Sequence, residues 1–332
     1  MTAGTQSAVH PDVEVELELV IRDAELVADD VRTLRLQHPD GTPLPDWTPG
    51  AHLDLILENG LTRQYSLCGP LDRPDEWQVA VLRTADSAGG SAFVHDELAA
   101  GSTVRVRGPR NHFALVDAPE YLFIVGGIGI TPVLAMIRRA VETGATWTLL
   151  YGGRQPTSMA FVPLLQELSE ASAGRGRVLL WPQESHGLLP LAEHLADHVD
   201  GRLVYCCGPE PLIHAVEAAT STWPPGSLHV ERFSPVELGE PVRTEGFEVE
   251  LALSGRTLAV RPDQSVLEAV LESGIEVLSS CQEGICGTCE TGVLAGTPDH
   301  RDSILSPQER DVGDVMMICV SRSIGPRLTL EL

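Results

Sequence analysis

The chain has 332 residues, 43% of them hydrophobic, which is enough apolar material for two or three folded domains and too much for a disordered chain. Its formal net charge of −24 argues against nucleic acid or an anionic membrane as a partner. All 23 basic residues are arginine, which excludes lysine Schiff-base chemistry and a lysine-dependent phosphate loop; phosphate groups must be held by arginine, hydroxyls and backbone N–H groups.

Residues 1–12 carry no apolar targeting core and read as a flexible lead. From 13 to 116 the apolar residues alternate with period two. VEVELELVI, VRTLRLQ, AHLDLIL, RQYSL, WQVAVLR and TVRVR read as six short strands, with one helix near Ser91–Leu98, and predict a small antiparallel barrel. From 117 to 232 continuous apolar strands (YLFIVG, WTLLYGG, VLLWP, LVYCCG) alternate with helical patterns at about 131–143, 158–170, 190–197 and 209–220. That is the pattern of an α/β doubly wound domain, its sheet buried on both faces. The uncharged run from Tyr121 to Ile137 is a little short for a membrane span and is broken by Gly126, Gly127, Gly129 and Pro132. It reads as strand, turn and helix start, with Thr131 as N-cap and Pro132 at the first helical position. Residues 233–246 are polar with two prolines and read as a linker. From 247 to 332 come two strands, FEVELAL and TLAVRP, then a helix with Asp263 as N-cap and Gly274 beyond its end. The cysteine loop and the strands MMICV and RLTLEL follow.

The run CQEGICGTC places Cys281, Cys286 and Cys289 at C-x4-C-x2-C spacing, and Cys319 follows after 29 more residues. This is the ligand spacing of a plant-type [2Fe–2S] ferredoxin. Gly284 and Gly287 let the loop fold closely around an inorganic core. Structural zinc is the competing reading, but its cysteines usually come in two short-spaced pairs. An odd cysteine count in a chain without a secretory signal speaks against a disulfide framework. Cys68, Cys206 and Cys207 remain, consistent with a reducing cytoplasm.

Three further motifs are weaker singly. IVGGIGITP puts Gly126, Gly127 and Gly129 between a strand and a helix, where amides favour a pyrophosphate or where glycine simply packs closely. It departs from G-x-G-x-x-G, since Pro132 holds the last glycine position. YCCGPEPL makes a second strand-to-helix turn into the same crevice. RQYSL offers a cation, an aromatic face and a hydroxyl, and SAGGSAF sets Gly89 and Gly90 before Ser91 at a helix start. His194 and His198 in EHLADH have a spacing zinc can use, but an ordinary polar helix face explains them better.

In order, RQYSL, GGS, GGIGITP, YCCGP, HVERF and C-x4-C-x2-C…C resemble the phthalate dioxygenase reductase family. Vanillate demethylase reductase is a close type, and the reductase tails fused to some cytochromes P450 are similar. The resemblance covers nearly the whole chain. It implies an antiparallel β-barrel flavin domain, an α/β doubly wound nucleotide domain and an α+β β-grasp ferredoxin domain. FMN rather than FAD is the flavin generally found, beside the [2Fe–2S] cluster, with NADH or NADPH as substrate.

The resemblance also implies residue roles. Arg63 and Ser91, with the amides of Gly89 and Gly90, hold the FMN phosphate. Tyr65 and Ser66 lie against the isoalloxazine, the Ser66 hydroxyl near N5, and Val81, Leu82 and Arg83 line it from the next strand. Thr131 and Phe233 reach the flavin, Cys207 approaches the nicotinamide, and Gly127 and Gly129 cradle the dinucleotide. Hydride transfer therefore falls to Ser66 and Cys207. Two departures stand out. Ala88 occupies a position where relatives often carry arginine, which leans phosphate neutralisation on Arg63 and Arg83. Arg154, in Tyr151-Gly152-Gly153-Arg154-Gln155, can meet a 2′-phosphate where NADH-using relatives have an acid.

The expected activity passes a hydride from nicotinamide C4 to flavin N5 and then single electrons through the cluster to a terminal oxygenase, Rieske-type or otherwise a P450. No nucleic acid or membrane partner is expected, and the protein is read as a cytoplasmic monomer. A stand-alone reductase of ferric or quinone acceptors is the rival enzyme; a redox sensor or a purely structural metal domain are rivals of other classes.

Overall fold

The computed structural model describes residues 15–84, 89–235 and 238–332. The 1–12 lead and Ala88 lie outside them. The elements run β1 (Val15–Ala28), β2 (Val31–Gln37), β3 (His52–Ile56), β4 (Thr62–Ser66), β5 (Trp77–Leu82), α1 (Gly90–Asp96), β6 (Thr103–Arg110) and β7 (Glu120–Gly126). A 3-10 turn at Gly127–Gly129 leads into α2 (Ile130–Thr143), then β8 (Thr146–Gly153), α3 (Val162–Ala171), β9 (Gly176–Pro182), α4 (Gln183–His186), α5 (Leu191–His194), β10 (Arg202–Cys207), α6 (Glu210–Thr220) and β11 (Leu228–Glu231). The last stretch holds β12 (Phe247–Leu251), β13 (Arg256–Val260), α7 (Val266–Glu272), β14 (Glu290–Ala295), β15 (Pro298–Asp299), α8 (Pro307–Val312), β16 (Val315–Met317), β17 (Arg322–Ser323) and β18 (Arg327–Leu330). Packing forms two compact units. One runs through Asp117 and takes in Ile130–Trp147 and Gln155–Val178; the other comprises Ala118–Gly129, Thr148–Arg154 and Leu179–Leu332.

In the first unit the six expected strands form one antiparallel sheet in the order β4-β3-β6-β1-β2-β5. A bridge from Leu67 to Val79 and the Cys68 N–H bond to the Gln78 carbonyl (2.8 Å) join the two edges, so the sheet closes as a barrel. Alternation drives it: Leu19, Ile21, Leu34, Leu36, Leu53 and Leu55 are fully buried inside. One carboxylate sits in this wall. Asp54, without solvent exposure, is paired with Arg110 at 2.5 Å and Arg107 at 3.1 Å, a double pairing that offsets its desolvation. In the α3 region of the same unit, the Trp147 indole N–H donates to Ser172 Oγ at 3.0 Å and a Cβ on Gly176 would strike that indole at 2.4 Å.

The second unit contains a five-stranded sheet in the order β11-β10-β7-β8-β9, with β10 parallel to both β7 and β11. Chain order therefore reverses beside β7: β8 and β9 lie on one side, β10 and β11 on the other. Above the carboxyl ends of β7 and β10 is a topological switch point, the crevice where open α/β sheets take ligands. Three sequence readings change here. The 3-10 turn starts the helix early, so Thr131 and Pro132 fall inside its first turn rather than at its cap. The helix expected over 190–197 is the single turn α5, and another single turn, α4, precedes that range. His198 lies beyond α5 and bonds to Ser227 Oγ at 3.2 Å, and no metal-ligating group of three or more forms among the described residues. β11, too short to signal itself, completes the sheet.

The C-terminal sheet has the order β13-β12-β18-β14-β16, with β12 and β18 parallel and α7 packed on its core. This is the β-grasp arrangement. Ser265, not Asp263, caps α7: its Oγ accepts from the Glu268 N–H at 3.1 Å while the Glu268 carboxylate accepts from the Ser265 N–H at 2.8 Å. Gly274 follows the end at φ +82°, as expected. The described part of 233–246 has no regular structure but is pinned to the β-grasp, Val242 N–H donating to Asp299 and Arg301 to the Gly239 carbonyl. Among the described residues no helix is long and apolar enough to cross a membrane.

Candidate redox site

Three groups of residues carry the chemistry, and each is built by its local backbone. On the barrel, β4 carries Arg63, Tyr65 and Ser66. Arg63 lies directly over Gly90: a Cβ there would meet its Cγ at 2.6 Å and its Nε at 2.9 Å, so only glycine lets this arginine lie against the start of α1. Its Nη1 donates to the Thr62 carbonyl at 2.8 Å, and no carboxylate pairs with it among the described residues. The fold thus leaves a cation beside a glycine turn, which suits a phosphomonoester. The Ser91 hydroxyl accepts from the Thr84 N–H at 3.2 Å, tying the helix start to the end of β5. Burial pushes the Tyr65 phenol up to about 12, against the pull of Arg63, so it stays a neutral aromatic face. Val81 is buried and Leu82 half-buried. Arg83 is exposed and committed to Asp96 in a two-pronged pair at 2.6 and 3.0 Å, which withdraws it from the phosphate role given it above.

In the second unit the two glycine turns meet. A Cβ on Gly126 would strike Pro209 Cδ at 2.6 Å, and one on Gly129 would strike the Cys207 carbonyl oxygen at 2.2 Å. Gly127 has φ +56° and open space where a side chain would point. The turns after β7 and β10 thus approach as closely as backbones can, with Gly127 facing outward, a cradle suited to a pyrophosphate. Cys207 is fully buried at the end of β10, and burial beside the carboxyl of Glu231 holds its thiol well above the ordinary range. Glu231, at the end of β11, lies 3.9 Å from that sulfur and is raised to about 8 by burial. Sequence reading passed over Glu231, which lies inside the HVERF motif. Phe233 is exposed two residues on, and Arg154 projects from the end of β8 with no ion-pair partner among the described residues.

The four C-terminal cysteines come together. Gln282 (φ 57°), Gly284 (φ 71°) and Gly287 (φ 75°) coil the loop, and a Cβ on Gly284 would hit Val320 Cγ2 at 2.6 Å. The sulfurs associate in two pairs, Cys281 with Cys286 and Cys289 with Cys319. Within each pair the neighbouring sulfur, with burial, pushes one thiol up, Cys281 or Cys319, and pulls its partner down, Cys286 to about 5 and Cys289 likewise downward. Two adjacent pairs suit the two irons of a [2Fe–2S] cluster.

Comparison with known proteins agrees with this partition. Residues 249–323 match a 2Fe-2S iron-sulfur cluster binding domain, and 123–218 match an oxidoreductase NAD-binding domain. The chain is 44% identical over 308 residues to phenoxybenzoate dioxygenase subunit beta of Ectopseudomonas oleovorans, covering 92% of this chain and 94% of that one. It is 39% identical over 321 residues to tetrachlorobenzoquinone reductase of Sphingobium chlorophenolicum, covering 95% and 98%. Phthalate dioxygenase reductase, a modular structure for electron transfer from pyridine nucleotides to [2Fe–2S], superposes with a TM-score of 0.68 at 33% identity, covering 96% and 98%. The chain belongs to the phthalate dioxygenase reductase family. An intact type IV self-sufficient cytochrome P450 monooxygenase also superposes, with a TM-score of 0.89 at 44% identity; 96% of this chain is covered but only 41% of that longer one.

Proposed function

We propose that the protein is the reductase component of a multicomponent oxygenase, an NAD(P)H-dependent flavin and iron–sulfur oxidoreductase. The observation that carries this is the conjunction, in one chain, of a barrel with Arg63, which no carboxylate pairs among the described residues, at a glycine turn, a nucleotide sheet with a tight switch-point crevice, and two cysteine pairs. When bound, FMN accepts a hydride from NAD(P)H and the [2Fe–2S] cluster delivers single electrons to the oxygenase. Arg63, Ser91 and the Gly89 and Gly90 amides hold the FMN phosphate. Tyr65, Ser66, Val81 and Leu82 line its ring system. Gly127 and Gly129 receive the dinucleotide pyrophosphate, and Arg154 meets a 2′-phosphate where NADPH is the donor. Thr131 and Phe233 are assigned to the flavin on family grounds. Cys207 is assigned to the nicotinamide, where a buried neutral thiol offers a polarisable face rather than a nucleophile. Cys281, Cys286, Cys289 and Cys319 bind the irons.

A Rieske-type oxygenase is the first partner on this reading and a P450 the second, with the reductase a cytoplasmic monomer. The likeness to tetrachlorobenzoquinone reductase favours one alternative, direct reduction of a quinone by the same route. The test is an anaerobic titration with NADH and with NADPH, followed by visible absorbance. Bleaching of flavin and loss of the cluster bands together support the proposal. Flavin bleaching with cluster bands absent reduces the protein to a simple flavin reductase, and fast turnover with quinones but none with any oxygenase selects the alternative.

A further inference from the structure

The loop bearing three of the four cysteines is braced by a charged residue outside the cysteine set. Asp302 lies between the two ligand-bearing segments. Its Cα is 3.1 Å from where a Cβ on Gly284 would stand, and the adjoining Ser303 N–H donates to the Gly284 carbonyl at 2.9 Å. That fixes it against the loop between Cys281 and Cys286. Its carboxylate, closed off from solvent, accepts from the Ile304 and Leu305 amides at 3.1 and 2.9 Å. It also accepts from the Ser321 hydroxyl at 3.4 Å, two residues past Cys319. Ser321 Oγ in turn accepts from the Arg301 N–H at 3.2 Å.

Compensation of this buried charge is partial. The nearest cation, Arg310 on α8, stands 3.6 Å from Oδ2 and is a third exposed. Its shorter bonds go to the carbonyls of Leu305 and Asp302. His300 Nδ1 is 3.9 Å from Oδ1, but burial lowers its pKa and neither ring nitrogen has a hydrogen-bond partner, so it adds no cation. A buried anion against the ligand loop disfavours the extra electron of a reduced cluster, and a cation offsets it.

We propose that Asp302 and Arg310 are positioning residues whose opposed charges set the reduction potential of the cluster held by Cys281, Cys286, Cys289 and Cys319. The inference rests on the cluster assignment above. The experiment is an anaerobic potentiometric titration of the holoprotein, following absorbance and the paramagnetic resonance of the reduced cluster, for wild type, Asp302→Asn, Arg310→Gln and the double variant. Asparagine keeps an acceptor for the two amides and removes the charge. At fixed poise, Asp302→Asn should raise the reduced-to-oxidised ratio about tenfold, which is 59 mV for a one-electron couple. Arg310→Gln should move it the opposite way, and the double variant should fall between. Shifts of the same sign, or none with cluster content intact, overturn the inference, since a purely structural brace has no reason to respond with opposite signs. If Asp302→Asn fails to retain a cluster, Arg310→Gln decides alone: a fall in the ratio supports the pair and an unchanged ratio refutes it. A wild-type protein without cluster bands removes the assignment itself, a failure distinct from the other.

Discussion

Gly129→Ala probes the close approach on which the nucleotide crevice depends. The added Cβ would stand 2.2 Å from the Cys207 carbonyl oxygen, 2.5 Å from its carbon and 2.9 Å from the Gly208 nitrogen. Ordinary contact begins near 3.4 Å, so the oxygen must recede by about 1.2 Å (3.4 less 2.2). Every clashing atom is backbone, which no rotamer change can relieve. Overpacking of this kind costs about 1–3 kcal/mol, and the upper end applies where the backbone must move. The functional effect should be larger, because the displacement falls on Cys207, assigned to the nicotinamide. A misplacement of about 1 Å can cost roughly 100-fold in rate. Gly127→Ala is the control: its φ of +56° carries left-handed strain of about 1–2 kcal/mol, with nothing within 4 Å to strike. Thermal melts should rank wild type above Gly127→Ala and Gly127→Ala above Gly129→Ala. Stopped-flow flavin reduction under anaerobic NADH should slow by about two orders of magnitude in Gly129→Ala. A Gly129→Ala protein that melts and reduces its flavin as wild type does would refute both the steric argument and the place of this turn in the site.

Arg63→Gln removes the cation that lies against the Gly90 turn. A lost charge-assisted hydrogen bond of about 1.5–3 kcal/mol should weaken FMN binding roughly 10- to 100-fold in a fluorescence titration of flavin-free protein, and unchanged affinity would release Arg63 from the phosphate. Glu231 is held near 8 in the folded chain against 4.5 ordinarily, so the folded state keeps a proton that the unfolded state gives up. Its contribution to stability is therefore greatest below about 4.5 and is lost as pH rises toward 8. Glu231→Gln should remove that loss. Its urea midpoint should gain on wild type between pH 5 and pH 8, at no more than about 1.4 kcal/mol per pH unit, and a constant difference across the range would contradict the raised carboxyl. Arg154→Gln should lower kcat/KM for NADPH about tenfold and leave NADH untouched, since one charge-assisted contact is worth about 1.5 kcal/mol; equal losses with both donors would assign Arg154 elsewhere.

The barrel was legible because its strands alternate strictly and each alternation has one solution, leucine inward and polar outward. The cysteine loop was legible for a different reason: iron admits few ligands, and C-x4-C-x2-C leaves little else for the loop to be. Elements without such a constraint escaped. β11 and β14 are short, and neither alternates over enough residues to stand out from loop. The cap of α7 was misread although the signal was present, since Ser265 followed by Glu268 is a capping box and Asp263 has no such partner. At α2 the misreading had a physical cause, because the 3-10 turn Gly127–Gly129 that leads into the helix at Ile130 carries no periodicity that would show it.

Two carboxylates packed against cysteine-bearing segments were invisible for a deeper reason. Glu231 and Asp302 are among 47 acidic residues, and nothing in their neighbours' identity distinguishes them from solvated surface. Only tertiary structure buries them, and their surroundings then separate their roles. Glu231 meets the Cys207 thiol at 3.9 Å, and burial drives its carboxyl toward the neutral form. Asp302 meets two amides, a hydroxyl and a guanidinium, the set of donors that makes a buried charge tenable. One acid therefore sits beside the Cys207 thiol, held toward its neutral form, and the other braces the cysteine loop through two amides and a hydroxyl.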